Sequence, residues 1–239
     1  MKLDILAIGV HPDDVELNCA GTLLRHIDLG YTVGLLDLTL GELGTRGNAK
    51  IRTQEAMTSA QLMGVRVREQ LDMEDGFFTH NQTNLLKIMR ILRKYQPEIV
   101  FANALDDRHP DHGRSAKLVA DACFLSGLIK IETLDDNNKP QKAWRPKNLY
   151  HYIQDRVLKP DFVIDISDYM ERKFGCILAF KSQFHDPLSN EPVTPISSQS
   201  FLNSVKGKDS TYGRYIGCEY AEGFNVQRPI GVANVFDLK

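Results

Sequence analysis

Residues 3–14 read LDILAIGVHPDD, a short apolar run that stops abruptly at a histidine, a proline and two adjacent aspartates. The run has the length and the Ile, Leu and Val content of a first β-strand. With one lysine before it, an aspartate inside it and no small-residue cleavage site after it, it does not read as a signal peptide. The turn after the strand is as informative. A nucleotide-binding sheet would place G-x-G-x-x-G here, because backbone amides must approach a pyrophosphate. Asp13 and Asp14 stand there instead, and carboxylates repel phosphate, so a dinucleotide cofactor is disfavoured.

Strand-like and helix-like segments alternate outward from this stretch. AGTLLRHIDLG (20–30) has helical periodicity and a glycine stop, and TVGLLDLTL (32–40) is a second apolar strand. A glycine-rich loop, GELGTRGN (41–48), leads to a helix over Ala49–Met63 closed by Gly64. VRVREQLDM (65–73) reads as a more polar third strand, TNLLKIMRILRKY (83–95) as a helix and EIVFA (98–102) as a buried strand. A helix around 113–127, a surface loop at 134–141 and strands at 148–153 and 162–167 come next. The remainder reads as a helical and loop-rich tail ending in RPIGVANVFDL. The rhythm predicts an α/β, Rossmann-like, doubly wound and mainly parallel sheet with helices on both faces, in a single domain over residues 1–239.

The composition narrows the function. Twenty-nine basic against thirty-one acidic residues give a net charge of −2, which favours neither nucleic acid nor an anionic membrane as partner and leaves a small molecule. No stretch is long and apolar enough to span a bilayer. Cys19, Cys123, Cys176 and Cys218 are widely spaced without a C-x-x-C pair, so they read as buried thiols of a cytoplasmic protein.

The turn after the first strand then recurs. After the strand at 98–102, NALDDRHPDHGRS repeats the theme as His109-Pro110-Asp111-His112. In the common strand order the first and fourth strands flank the topological switch point, so both His-Pro-Asp turns face one crevice. Either histidine alone reads as a cap or a surface residue. Two such turns after two apolar strands, in a chain with seven histidines, bring together the imidazoles and carboxylates that zinc prefers. The proline in each turn restricts the backbone and preorganises the set. A structural zinc would instead be enclosed by four side chains, often cysteines.

GVHPDDVE together with DRHPDH resembles the LmbE/PIG-L family of zinc-dependent N-acetylglucosamine deacetylases. GELGTRGN, RTQEA, VFANALDDRHPDHGRSAKLVADA, FKSQF and EGFNVQRPIG extend the likeness, most of all to the branch acting on N-acetylglucosaminyl malate in bacillithiol synthesis. The resemblance implies Zn2+, or another divalent ion such as Fe2+, on His11, Asp14 and His112. It makes Asp13 the general base and places His109 beside the substrate oxygen, positively charged and oriented by Asp111. It also implies a homo-oligomer. Val10 stands where that branch usually has alanine, on the strand side of the ligands.

Other residues near the crevice carry weaker signals. Arg52 resembles a substrate-contacting position, and Arg46 lies in the loop just before that helix; each also reads as a solvated arginine. Glu16 either supports a ligand or favours the helix amino end. Arg108 either binds an anionic aglycone or forms a structural salt bridge. Three other functions compete: a hydrolase for another N-acylated amino sugar or thiol conjugate, a non-catalytic metal- or sugar-binding module, and a phosphate-binding regulator. The presence of Asp13 speaks against the second, and the missing glycine signature against the third.

Overall fold

The computed structural model describes residues 1–237; Leu238 and Lys239, the end of the tail, lie outside the described residues. Strands β1 (Ile5–Gly9), β2 (Val33–Asp37), β3 (Val67–Gln70) and β4 (Ile99–Ala102) are joined by β5 (Asn148–Tyr152), β6 (Phe162–Asp165) and β7 (Ala221–Val226). They form one sheet in the order β3-β2-β1-β4-β5-β7-β6. The chain steps outward from β1 to β3 and then crosses to β4 on the other side of β1, so the switch point lies between β1 and β4, as the sequence predicts.

β1 is buried on both faces, which explains its unbroken apolar run. Leu6, Ile8 and Val10 pack with Ile88 and Leu92 of α3 (Gln82–Tyr95) and with Leu118 and Val119 of α4 (Pro110–Leu125). Ile5 and Ala7 face the opposite layer. There they meet Val15, Cys19 and Leu23 of α1 (Asp14–Asp28), Met63 of α2 (Ala49–Met63) and Cys176 of α5 (Met170–Ile177). Helices thus cover both faces. Three of the four cysteines are buried, Cys218 is half-buried, and all are free thiols.

Two elements differ from the expectation. α1 begins at Asp14 rather than near residue 20: residues 14–24 are all buried, and polar and apolar residue types alternate over 14–19, a pattern that masks the helical period. β7, which the sequence reads as part of a helical and loop-rich tail, inserts antiparallel between β5 and β6. Its interior Gly223, approached closely by Tyr212, breaks the β-branched pattern that marks a strand. The last helix, α6 (Gln199–Ile216), docks on this layer. Its Leu202 and Val205 pack with Phe180 and Phe184 against Leu17 of α1 and Ala56 of α2, which brings the C-terminal region over the end of β1.

Candidate active site

The two His-Pro-Asp turns meet at the switch point. Ring centroids of His11 and His109 are 4.7 Å apart, those of His109 and His112 5.1 Å, and those of His11 and His112 5.7 Å. One nitrogen from each of the three lies within 4.8 Å of the others. Asp14 sits between the two turns, with Oδ1 3.1 Å from His112 Nε2 and Oδ2 3.7 Å from His11 Nδ1. His11, Asp14 and His112, all buried, therefore converge as two imidazoles and one carboxylate, the donor chemistry of a catalytic zinc site. The residues fit a divalent cation.

Backbone and amide groups hold this set. Asp14 Oδ2 accepts from the amides of Val10 and His11 and from Asn103 Nδ2, at 2.9–3.0 Å. Gln154 Nε2 donates to Asp14 Oδ1 at 3.1 Å. His112 Nδ1 is 2.6 Å from Asp107 Oδ2, which directs Nε2 into the crevice. Burial opposes ionisation of Asp14, yet His112 and His11 beside it hold its carboxyl well below the usual carboxylate range. Burial likewise opposes charge on His11, but hydrogen bonds to Asp111 and Asp75 push its imidazole up to about 10. The excess of carboxylate in this crevice thus favours positive charge, whether on an imidazole or on a bound cation.

Asp13 plays no part in that set. Its φ of 122° is a conformation L residues rarely adopt, and its Oδ2 accepts from Arg52 Nη2 at 2.9 Å. Burial pushes the Asp13 carboxyl up to about 7 against the pull of the Arg52 guanidinium, into the range of a general base. His109 caps α4, its Nδ1 accepting from the Asp111 amide at 3.3 Å, which leaves the proton of the neutral ring on Nε2. Burial and the fields of His11 and His112 lower its pKa, so the expected positive charge on His109 is disfavoured. Nor does the Asp111 carboxylate orient His109: it accepts from the Gly76 amide and Arg114 Nη1, and lies 3.6 Å from His11 Nε2.

Of the expected substrate-binding residues, Arg52 and Arg108 line the crevice; Arg46 and Glu16 do not. Arg46 turns towards the C-terminal region, donating to the Phe184 carbonyl and Ser189 Oγ. Glu16 is fully buried and accepts from Ser59 Oγ and Arg68 Nη1, a structural role set by α1 starting early. Arg108 stands exposed at the mouth, 2.6 Å from Asp155. Sequence reasoning missed Asp75, Asp107, Asn103, Gln154 and Lys208. Asp107 adjoins the second motif, so a search for carboxylates beside that motif would find it. Gln154 and Lys208 come from distant segments and carry no local signal.

At the switch point of this α/β fold, buried imidazoles and carboxylates form a cluster compatible with metal binding, beside a separate buried carboxylate. A family model described as GlcNAc-PI de-N-acetylase (PIG-L) matches residues 6–123, which span both turns. The conserved protein TT1542 of Thermus thermophilus superposes with a TM-score of 0.85 at 32% identity, covering 98% of each chain. The chain is 28% identical to diacetylchitobiose deacetylase of Thermococcus kodakarensis, over 92% of this chain and 81% of that one. It is 25% identical to 4-oxalmesaconate hydratase of Pseudomonas putida, over 91% and 86%. To a protein of Bacillus anthracis named "Probable N-acetyl-alpha-D-glucosaminyl L-malate deacetylase 2" the identity is 22%, over 75% and 81%. The chain belongs to the PIG-L (LmbE) family.

Proposed function

We propose that this protein is a divalent-metal-dependent hydrolase that removes the acetyl group from an N-acetylated amino sugar, with N-acetylglucosaminyl malate as substrate. The division of labour between adjacent aspartates carries the reading. Asp14 belongs to the ligand set, whereas Asp13 faces the same crevice with a raised pKa and no ligand role. A non-catalytic metal site has no need of such a second carboxylate.

A divalent cation bound to His11, Asp14 and His112 would polarise the amide carbonyl and make a water acidic enough to lose its proton near neutral pH. Arg52 occupies Asp13 Oδ2, so Oδ1 is the oxygen that accepts the proton of the attacking water. The His109 Nε2–H donates to the oxygen on which negative charge develops, and it does so as a neutral ring. Asp13 then returns the proton to the amine nitrogen as the carbon–nitrogen bond breaks. One water is consumed, and acetate and a free amine leave.

The finer substrate rests on the motifs shared with the malate branch and on Arg108, whose forked guanidinium at the mouth suits a carboxylate outside the sugar. The test is a fluorogenic amine assay, with acetate measured in parallel, on N-acetylglucosamine, diacetylchitobiose and N-acetylglucosaminyl malate. Equimolar amine and acetate, formed fastest from the malate conjugate, is the expected result. Faster release from diacetylchitobiose replaces the malate reading with a broader amino-sugar one, and no acetate from any of them overturns the deacetylase.

A further inference from the structure

Lys208 of α6 lines the crevice but makes no salt bridge among the described residues. Its ammonium has three N–H groups, and three oxygens meet it: Asn18 Oδ1 and the Ile153 carbonyl at 2.8 Å, and the Gln154 carbonyl at 2.9 Å. With every donor used, it has none left for substrate. Two of these three residues contact Asp14 directly. Asn18 Nδ2 donates to the Asp14 carbonyl at 2.8 Å, and Gln154 Nε2 donates to Asp14 Oδ1 at 3.1 Å.

We infer that Lys208 is a positioning residue for the metal ligand Asp14, acting through Asn18 and Gln154; this rests on the metal site proposed above. Both amides have their orientation imposed from two ends. Asn18 must present Oδ1 to Lys208, which turns Nδ2 to the Asp14 carbonyl. Gln154 Oε1 accepts from Asn103 Nδ2 and the Ala104 amide, both at 3.0 Å, which leaves Nε2 for Asp14. The main chain carrying Gln154 comes from beyond β5, and Lys208 grips two successive carbonyls of it. Enclosure of this ammonium without a hydrogen-bonded carboxylate costs free energy, and burial pulls its pKa down to about 8. An apolar residue would avoid that cost but leave three acceptors unpaired, free the Asn18 amide to turn and loosen the main chain that carries Gln154.

The arrangement also joins two parts of the site. Phe201, Ser204, Val205 and Lys208 follow one another at helical spacing along the face of α6 that lines the crevice. The helix that walls the crevice therefore also holds a ligand.

The test is the Zn2+ affinity of metal-stripped protein, read by competition with a chromophoric chelator. Lys208→Met is expected to weaken Zn2+ binding about tenfold or more, the usual scale for residues that orient a ligand. In a background carrying both Asn18→Ala and Gln154→Ala, the same substitution should add less than about twofold, because its intermediaries are gone. A purely structural lysine would cost the same in both backgrounds. Unchanged Zn2+ affinity in Lys208→Met, or an equal loss in both backgrounds, overturns the inference. Should Lys208→Met not fold, Lys208→Arg, which keeps the charge but cannot place three donors on the same oxygens, is compared in the two backgrounds by the same criterion. Wild-type protein that binds no Zn2+ overturns the metal site itself, an outcome distinct from a wild type and variant that bind alike.

Discussion

Arg52 Nη2 lies 2.9 Å from Asp13 Oδ2 and 2.8 Å from the Pro12 carbonyl, so one guanidinium grips both the Asp13 carboxylate and the backbone of its turn. Its Nη1 donates to the Gly41 carbonyl at 3.1 Å. Gly41, at φ +64°, has no Cβ because one would collide with the same guanidinium. Asp13, strained at positive φ, is thus held from outside its own segment.

Asp13 and Asp14 should separate cleanly on mutation. Asp13→Asn keeps its size and its neighbours but cannot accept a proton, so it should retain stoichiometric metal and lose about a hundredfold or more in kcat. Asp14→Ala should lose the metal. Metal analysis of the purified variants decides this, and an empty Asp13→Asn beside a loaded Asp14→Ala would exchange the roles.

The two crevice arginines should differ in what they discriminate. Arg108 is exposed at the mouth, so Arg108→Ala should lower kcat/KM for the malate conjugate by about tenfold, a loss of about 1.4 kcal/mol, while leaving turnover of N-acetylglucosamine nearly unchanged. Arg52→Ala releases Asp13 and should impair both substrates through kcat. Steady-state kinetics on the two substrates test the contrast; equal losses in Arg108→Ala would remove its role towards malate.

Removing the metal should be visible in stability as well as activity. The proposed ligands come from the turn after β1, from α1 and from α4, so a cation bound only to the folded state would stabilise it by about 2.7 kcal/mol at a free concentration about one hundred times its Kd. Differential scanning fluorimetry should show Tm rising with added Zn2+ and falling on chelation. His112→Ala should abolish the response.

The buried ion cluster away from the crevice should matter for folding alone. Arg68 donates to Asp37 Oδ1 and Oδ2 at 2.8–2.9 Å and to Glu16, and all three side chains are buried. Arg68→Met leaves two uncompensated carboxylates and should cost about 3–5 kcal/mol. Urea unfolding measures it, and a loss below about 1 kcal/mol would show that the carboxylates find other partners.

Much of the architecture is legible in local pattern. β1 and β4 are short apolar runs because both faces of a central parallel strand are covered, and α2 runs from Ala49 to Met63 because Asn48 caps it and Gly64 takes the left-handed conformation that ends it. Patterns fail where buried polar and apolar residues alternate within a helix, as at the start of α1, and where a glycine-containing segment, β7, becomes a strand only by pairing with β5 and β6.

The sheet class, the switch point and the donor types gathered there are encoded locally, since each depends on neighbours along the chain: an apolar run, a proline that restricts the preceding histidine, a turn between strand and helix. The partner that each donor faces is settled by packing in three dimensions. Arg46 and Glu16 lie in the expected segments, yet side-chain partners from distant parts of the chain draw them out of the crevice. Asp111 faces His11 rather than His109, and Asp107, Gln154 and Lys208 reach their partners across separations of 5, 140 and 190 residues. Hydrogen bonds are selected by distance in space, and that distance is set by how the sheet layers close on one another, not by separation along the chain.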